Sequence, residues 1–218
     1  MDLQGKKIGF LGDSITEGVG ASSPQTCFVS VFAKAHPECS VYNYGIGATR
    51  IAYVQNTPSP QYNDCNPFGS RLKIMEDGLD VVFVFGGTND YGHGNAPFGS
   101  GEDGTRDTFC GSLCCLSREL IEKYPCARIV FVTPMHRQGE NEPRQKPDGM
   151  FTLYDYVKAV CAAAERFSFP VLDLWATLGI VPDIAAQRER FAPDGLHPND
   201  AGHRRIADAV GAFLRRAF

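Results

Sequence analysis

Two groups of residues near opposite ends of the 218-residue chain have the side chains that nucleophilic catalysis needs. Ser14 lies directly after an apolar run and a glycine-aspartate pair, and Asp194 precedes His197 by three residues across a glycine-containing turn. A serine hydroxyl is a weak nucleophile unless a base removes its proton, and a histidine oriented by a carboxylate can serve as that base. The sequence therefore predicts that Ser14 attacks a substrate, that His197 takes its proton at Nε2, and that Asp194 holds Nδ1.

Each of these motifs also has a purely structural interpretation. Ser14 with Asp13 beside it is typical of a helix N-cap, and Asp194 with His197 shortly before a helix also suits local capping. Asp13 itself is either an anchor of the loop or a substrate contact. Taken one at a time, the motifs leave these alternatives open.

Two further segments have donors for a negatively charged oxygen, which acyl transfer requires. Asn89, in the segment 86–90 (Gly-Gly-Thr-Asn-Asp), offers its side-chain NH₂ group. The segment 43–48 (Asn-Tyr-Gly-Ile-Gly-Ala) has glycines that let a backbone N–H approach a ligand closely. Ordinary turns use the same residue types. All four motifs would meet at one edge of a sheet if the apolar runs before them are parallel strands.

Five short apolar runs predict such strands. They show little polar and apolar alternation, which is typical of parallel strands covered by helices on both faces. Between them, apolar residues recur at helical spacing in three stretches. Alternating strands and helices predict an α/β fold, a three-layer αβα sandwich, in a single domain over residues 1–218. The predicted strands are 7–11, 40–44, 80–85, 127–132 and 170–174, and the predicted helices span 109–124, 153–164 and 206–217.

Three connections, 55–69, 91–105 and 137–149, are too long to be simple turns and follow predicted strands. Long loops in compact domains are often functional, and ligands bind at the carboxyl ends of parallel strands. We therefore expect these connections to form the walls of a substrate site. The aromatic side chains expected to contribute are Tyr62, Phe68, Tyr91 and Phe98, and His93, His136 and Arg137 are candidate substrate contacts.

Composition narrows the partners and the compartment. The net charge of −4 and the pI near 5.7, with no extended basic cluster, disfavour binding to duplex nucleic acid. No stretch approaches the ~20 apolar residues of a membrane span, and the first apolar run is too short for a secretion signal. The eight cysteines include no Cys-x-x-Cys pair and are expected to be reduced. A cytoplasmic protein with a small-molecule substrate is the expectation.

The four motifs together resemble the sequence blocks of the SGNH hydrolases, also called GDSL-type esterases and lipases. They occur in the order of that family and across nearly the whole chain. The resemblance is carried by residues 12–15 (Gly-Asp-Ser-Ile), Gly47, residues 87–90 (Gly-Thr-Asn-Asp) and residues 194–197 (Asp-Gly-Leu-His).

This resemblance implies a flavodoxin-like sheet with strand order 2-1-3-4-5 and serine esterase activity that needs no metal or other cofactor. It implies Ser14 as nucleophile, His197 as base, Asp194 as its orienting group, and an oxyanion hole formed by the Ser14 N–H, a glycine N–H and the Asn89 side chain. The second block departs from the family pattern, because Asn43, Gly45 and Gly47 lie one residue closer together than usual. Gly47 is the preferred donor and Gly45 the alternative.

The predicted loops indicate the substrate. Polar connections with scattered aromatics suit a sugar ring better than a fatty chain, so the expected activity is removal of small acyl groups from a carbohydrate. Cleavage of lysophospholipids or other short-chain lipid esters is the alternative within the same class. A metal-dependent phosphoesterase, with His197 and His203 among the ligands, and a non-catalytic binding module are the alternatives from other classes.

Overall fold

The computed structural model describes residues 3–53, 66–93 and 95–217. Its main sheet has five parallel strands in the order β2-β1-β3-β4-β7. Counted without the separate β5-β6 hairpin, this is the predicted order 2-1-3-4-5, so the predicted fold class is confirmed. The strands in the described residues are β1 (Lys7–Gly12), β2 (Ser40–Gly45), β3 (Val81–Phe85), β4 (Arg128–Val132), β5 (Arg144–Lys146), β6 (Gly149–Phe151) and β7 (Val171–Leu172).

The three predicted helices are present: the first two change by at most two residues at their ends, and the third begins six residues earlier than predicted, at Asp200. Shorter helices lie before and between them. These short helices have too few turns to show a hydrophobic period in the sequence. The helices are α1 (Ser14–Glu17), α2 (Phe28–Ala35), α3 (Thr88–Gly92), α4 (Phe109–Lys123), α5 (Leu153–Arg166), α6 (Leu174–Thr177), α7 (Ala185–Phe191) and α8 (Asp200–Ala217), with a 3₁₀ helix at Phe68–Ile74.

The core consists of two apolar layers, one on each face of the sheet. Successive strand residues point to opposite faces, so Phe83 of β3 packs in one layer and its neighbour Val84 in the other. One layer lies under α4, α5 and the 3₁₀ helix, and the other under α2 and α8. In the second layer the rings of Phe10 and Phe83 stack across β1 and β3 with centroids 4.9 Å apart. This burial on both faces explains why β1, β3 and β4 read as continuous apolar runs.

The strand β2 is not buried on both faces, unlike the prediction for all five strands. It lies at the edge of the sheet, and its residues are half-buried or exposed. The rings of Tyr42 and Tyr44 in β2 pack against the core and stack on each other. The last strand is also shorter than predicted, because the side chain of Asp173 accepts a hydrogen bond from the Ala176 N–H and starts α6.

The long connections are more structured than predicted. The connection 137–149 contains the start of the antiparallel hairpin β5-β6, and the connection 91–105 begins inside α3. Most of the connection 55–69, including Tyr62, lies outside the described residues. Where the structure describes cysteines they are free thiols, whereas Cys65 lies outside it. No helix in the described ranges is long and apolar enough to cross a membrane.

Candidate active site

The sheet brings the chemically active segments to one edge. The register pairs Gly12, the last residue of β1, with Gly45 at the end of β2 and with Phe85 at the end of β3. Ser14 follows the first of these ends by two residues, and Asn89 follows the last by four. Because all three strands run in the same direction, their following loops converge beyond their carboxyl ends.

Ser14 is the first residue of α1, and Asp13 caps that helix. Oδ1 of Asp13 accepts the N–H of Ile15 at 3.0 Å. The N–H of Ser14 has no acceptor within the helix, because the first four N–H groups of a helix lack one. Ser14 is 6% exposed. A hydroxyl and a backbone N–H of the same residue therefore lie together at the sheet edge.

Asp13 is placed as an anchor rather than as a substrate contact. Asp13 is 2% exposed. Burial raises the pKa of its carboxyl from 3.8 to about 7, although the hydrogen bond from the Ile15 N–H and the charge of Arg71 lower the pKa. A carboxyl enclosed in this way has no surface to offer a ligand. The contacts of Asp13 therefore support its interpretation as an anchor of the loop.

His197 and Asp194 complete a continuous hydrogen-bonded chain from Ser14. Nε2 of His197 lies 3.0 Å from the Ser14 hydroxyl oxygen, although the two residues are 183 positions apart. Nδ1 of the same ring lies 2.6 Å from Oδ2 of Asp194. With a proton on Nδ1, the ring donates to the carboxylate and offers its Nε2 lone pair to the hydroxyl. This arrangement can deprotonate Ser14 as a substrate is attacked.

The turn at 194–197 holds the histidine in place. Oδ1 of Asp194 accepts the backbone N–H groups of Leu196 at 2.8 Å and of His197 at 2.7 Å. Partial burial raises the pKa of Asp194, but the hydrogen bonds from the His197 ring and from these two N–H groups outweigh it, and the pKa is lowered overall. The side chain of Asn199 then caps α8 by accepting the N–H groups of Ala201 and Gly202. Asp194 therefore stays ionised and organises both the turn and the ring.

The two candidate glycines after β2 have different surroundings. The Gly45 N–H donates to Oδ1 of Asn43 at 2.8 Å, and a Cβ at Gly45 would lie 2.1 Å from the backbone nitrogen of Glu17. Gly45 is thus packed under α1. A Cβ at Gly47 would lie 3.8 Å from Cβ of Ser14 and 2.7 Å from a carboxylate oxygen of Glu17. Gly47 is therefore the glycine next to the Ser14 side chain.

Asn89 is buried and tied to the loop after β2. Its Nδ2 donates to the carbonyl of Thr49 at 3.0 Å, and the amide nitrogen carries a second hydrogen. The neighbouring Asp90 strengthens the same connection, because its carboxylate accepts the N–H groups of Ile51 at 3.0 Å and of Ala52 at 2.9 Å. These bonds fix the amide of Asn89 relative to the loop that contains Gly47.

A buried arginine that sequence reasoning missed supports the same region. Nη1 of Arg71, in the 3₁₀ helix, donates to the carbonyl of Gly12 at 2.6 Å and to that of Tyr44, and its Nη2 donates to the Thr49 hydroxyl at 3.1 Å. Burial lowers the pKa of Arg71 to about 10 despite the nearby carboxyl of Asp13. One side chain thus connects the ends of β1 and β2 with the loop after β2. A single arginine outside any motif carries no sequence signal for such a role.

Of the aromatic residues expected to line a substrate site, Phe68, Tyr91 and Phe98 pack in the core instead, whereas Tyr62 lies outside the described residues. Tyr91 is fully buried, and its hydroxyl donates to the carbonyls of Gly139 at 2.7 Å and Glu142 at 2.8 Å. Phe98 stacks on Phe151 with centroids 4.3 Å apart. These rings were expected at a wall because their segments look like open loops, but the rings pack inward against the core. Phe68 is also fully buried.

Two other histidines singled out in the sequence are held by protein groups. Nδ1 of His136 lies 2.7 Å from Oε1 of Glu140, and its ring packs on Trp175 with centroids 3.8 Å apart. Nδ1 of His203 accepts the Phe28 N–H at 3.3 Å, and its Nε2 lies 3.2 Å from the Val19 carbonyl. His203 is fully buried. Within the described ranges, no cluster of three or more His, Cys, Asp or Glu side chains could hold a metal ion.

Comparison with known proteins places this geometry in a family. Residues 10–205 match the sequence profile of the GDSL-like lipase/acylhydrolase family. No curated protein sequence matches the chain significantly. One solved structure has 31% sequence identity and a TM-score of 0.85, over 99% of this chain and 98% of that one. A protein from Lactobacillus plantarum has 29% identity and a TM-score of 0.82, over 99% of each chain.

A two-domain esterase active on acetylated mannans has the same fold in part of its length. It shares 22% identity and a TM-score of 0.62, over 98% of this chain and 50% of that chain. The matched residues 10–205 include all four motifs, and with them both Ser14 and His197, whose side chains are in contact. On the strength of that match, this chain belongs to the GDSL-like lipase/acylhydrolase family.

Proposed function

We propose that the protein is a serine esterase that hydrolyses carboxylic esters through an acyl-enzyme. The observation that carries this proposal is the chain of contacts from Ser14 to His197 at 3.0 Å and from His197 to Asp194 at 2.6 Å. Family membership supports it, because the matched family comprises lipases and acylhydrolases. No step of the proposed reaction needs a metal or another cofactor.

The proposed reaction uses these groups in two half-reactions. Oγ of Ser14 attacks the ester carbonyl while Nε2 of His197 takes the hydroxyl proton. The tetrahedral intermediate then collapses, the C–O bond to the alcohol breaks, and His197 returns the proton to the departing oxygen. A water molecule, deprotonated by the same Nε2, then attacks the acyl carbonyl. The bond from this carbon to Oγ breaks, the acid is released, and His197 returns the proton to Oγ of Ser14. Asp194 stabilises the imidazolium that forms in each half-reaction.

We assign the oxyanion hole to the N–H groups of Ser14 and Gly47 and to the second amide hydrogen of Asn89. Three contacts support this choice: the Ser14 N–H begins a helix, Gly47 lies beside the Ser14 side chain, and Asn89 is oriented by Thr49. Gly45 is less suitable, since Asn43 accepts its N–H. Preorganised donors of this kind act on the charge that develops during attack.

For the substrate we propose small acyl groups on a carbohydrate or a similarly polar alcohol. The two-domain esterase active on acetylated mannans, which shares the fold, supports this choice. The side chains of Glu17, Asp194 and Arg137 near the site are charged, which suits a polar alcohol better than a lipid chain. A panel of acetylated sugars and lysophospholipids tests the choice, and faster hydrolysis of the lysophospholipids would reject it.

The nucleophile is tested by labelling with a fluorophosphonate and measuring the intact mass. The wild type should gain one adduct, and Ser14→Ala should gain none. Ser22→Ala is a matched control, because Ser22 is an exposed serine whose hydroxyl donates to the carboxylate of Asp200 at 2.6 Å. It should label like the wild type. An adduct that persists in Ser14→Ala would reject the assignment.

A further inference from the structure

A group of cationic side chains surrounds α3, the short helix that contains Asn89. Nζ of Lys146 donates to the carbonyls of Asp90 at 2.6 Å and of Tyr91 at 3.1 Å. The guanidinium carbons of two arginines lie 5.7 Å and 5.6 Å from the centroid of the Tyr91 ring. The cations in this basic cluster are Arg50, Arg137, Arg144 and Lys146.

Most members of the basic cluster have a carboxylate nearby. Lys146 and Arg50 lie close enough to the buried Asp90 to influence its pKa. Arg144 pairs with the exposed Glu142 at 3.3 Å. Arg137 differs, because it forms no ion pair with any described residue. One cation of the cluster therefore has no ion-pair partner among the residues that the structure describes.

The donors of Arg137 are also largely unused. Its Nη1 has two long contacts, to the Thr88 carbonyl at 3.4 Å and to the Thr88 hydroxyl at 3.3 Å. Its Nε is buried and makes no hydrogen bond to the described residues. Burial lowers the pKa of the half-buried Arg137, and Arg144 adds to that effect, whereas Asp194 and Asp13 oppose it. The enclosed Nε cannot reach a ligand, but Nη2 of the half-buried Arg137 makes no hydrogen bond to the described residues, and the two Nη groups can together bind a carboxylate or phosphate with two hydrogen bonds.

Arg137 lies next to the proposed catalytic groups. The N–H of the following residue, Gln138, donates to the carbonyl of Gly195 at 2.7 Å, which joins this segment to the turn of Asp194 and His197. Its other neighbour, Thr88, directly precedes Asn89. The guanidinium is therefore held between the histidine turn and the proposed oxyanion hole.

The opposite side of the site carries negative charge. The carboxylate of Glu17 lies against Gly47, after β2, whereas Arg137 follows β4, and the ends of β1 and β3 lie between them. A substrate with an anionic group would be repelled by Glu17 and attracted by Arg137, since the ionised Asp194 near Arg137 already accepts hydrogen bonds from the His197 ring and from two backbone N–H groups. The charge distribution therefore favours one orientation of such a substrate across Ser14.

We propose that Arg137 is a specificity-determining residue that binds an anionic group, a carboxylate or a phosphate, on the ester substrate. This inference rests on the proposed esterase function and refines its substrate class to esters of acidic or phosphorylated alcohols. Arg144 adds to the local positive potential, and Lys146 holds the carbonyls of α3 beneath it.

Three matched substrates test the proposal. Monoacetylated methyl glucoside, monoacetylated methyl glucuronoside and monoacetylated methyl glucoside 6-phosphate share a ring and differ at C6, which carries a neutral group, a carboxylate or a phosphate. The wild type should have a higher kcat/KM for at least one anionic ester than for the neutral one. The two anionic arms identify which group is recognised.

Arg137→Gln should lower the ratio of anionic to neutral kcat/KM by about tenfold or more, because a bidentate charged contact is lost. Arg137→Lys keeps the charge without the planar fork and should give an intermediate ratio. Arg216→Gln is the matched control, since Arg216 is exposed near the end of α8 and lies about 24 Å along that helix from its start beside His197. It should keep the wild-type ratio.

A binding measurement separates this proposal from the esterase proposal. Calorimetric titration of Ser14→Ala with the same three esters should show tighter binding of the anionic one, and adding Arg137→Gln should abolish the difference. This result would support the anion site even if no ester were turned over. Equal affinity for the neutral and anionic esters, or an equal effect of Arg137→Gln on both, would overturn the inference.

Discussion

Replacing Asp194 with asparagine separates the orientation of His197 from the shape of its turn. Oδ1 of Asp194 accepts the two backbone N–H groups, at 2.8 Å and 2.7 Å, while Oδ2 alone faces Nδ1 of His197 at 2.6 Å. An asparagine keeps Oδ1 for the backbone and places NH₂ opposite Nδ1. Because NH₂ only donates, Nδ1 becomes the acceptor and the ring proton moves to Nε2. Nε2 then cannot take the proton of Ser14.

The expected loss follows from two contributions. Returning the ring to the productive tautomer costs roughly the net value of one neutral hydrogen bond, about 1 kcal/mol. Losing the ionic hydrogen bond to the imidazolium costs about 2 kcal/mol, at the low end for charged groups because the Asp194 side chain is 55% exposed and solvent screens it. The sum of about 3 kcal/mol corresponds to a fall in kcat of about 10²-fold.

The assay is steady-state hydrolysis of a short-chain 4-nitrophenyl ester, with the free energy of unfolding measured in parallel. Asp183→Asn is the matched control, because Asp183 is an exposed aspartate whose Oδ1 accepts the Gly139 N–H at 3.0 Å, a bond that asparagine can keep. Its kcat should stay within about twofold of the wild type. A kcat for Asp194→Asn within threefold of the wild type, in a protein of normal stability, would refute the proposed role of Asp194.

Three other substitutions test further parts of the site. Asn89→Ala should lower kcat by about 10² to 10³-fold with little change in KM, and an unchanged kcat would remove Asn89 from the oxyanion hole. Asp13, whose pKa burial raises from 3.8 to about 7, contributes stability in full below pH 3.8 and loses it as the pH rises through 7. In urea unfolding, the free energy of unfolding of Asp13→Asn relative to the wild type should therefore rise by up to about 4 kcal/mol from pH 4 to pH 7.5. A pH-independent difference between the two proteins would contradict the buried carboxyl. Gly45→Ala would place its Cβ 2.1 Å from the Glu17 nitrogen, so the free energy of unfolding should fall by about 1–3 kcal/mol, and normal stability would argue against this packing.

The sheet could be predicted because its signal is local. The strands β1, β3 and β4 are buried on both faces, so each leaves a continuous apolar run in the sequence. The edge strand β2 and the two-residue strand β7 are weaker cases, and there the predicted burial and length were inaccurate. The hairpin β5-β6 was missed because three-residue strands have no measurable period.

The candidate site was partly predictable for a different reason. Ser14, Asn89, Asp194 and His197 occur in short motifs at strand ends or just before the last helix, so their types and spacing were visible. The function of Tyr91 was not visible, since nothing in its segment indicates that its hydroxyl donates to two carbonyls about fifty residues away.

The sequence alone determined which reactive groups the protein has and that parallel strands would bring them to one edge, because these properties depend on residue type and short-range pattern. Only the tertiary structure decided that Ser14 and His197, 183 positions apart, lie within hydrogen-bond distance. It also decided that Arg71 joins three segments behind the site and that Arg137 lies beside it without a carboxylate partner among the described residues. Such contacts depend on how segments distant in the chain pack against one another, and no local pattern encodes that distance.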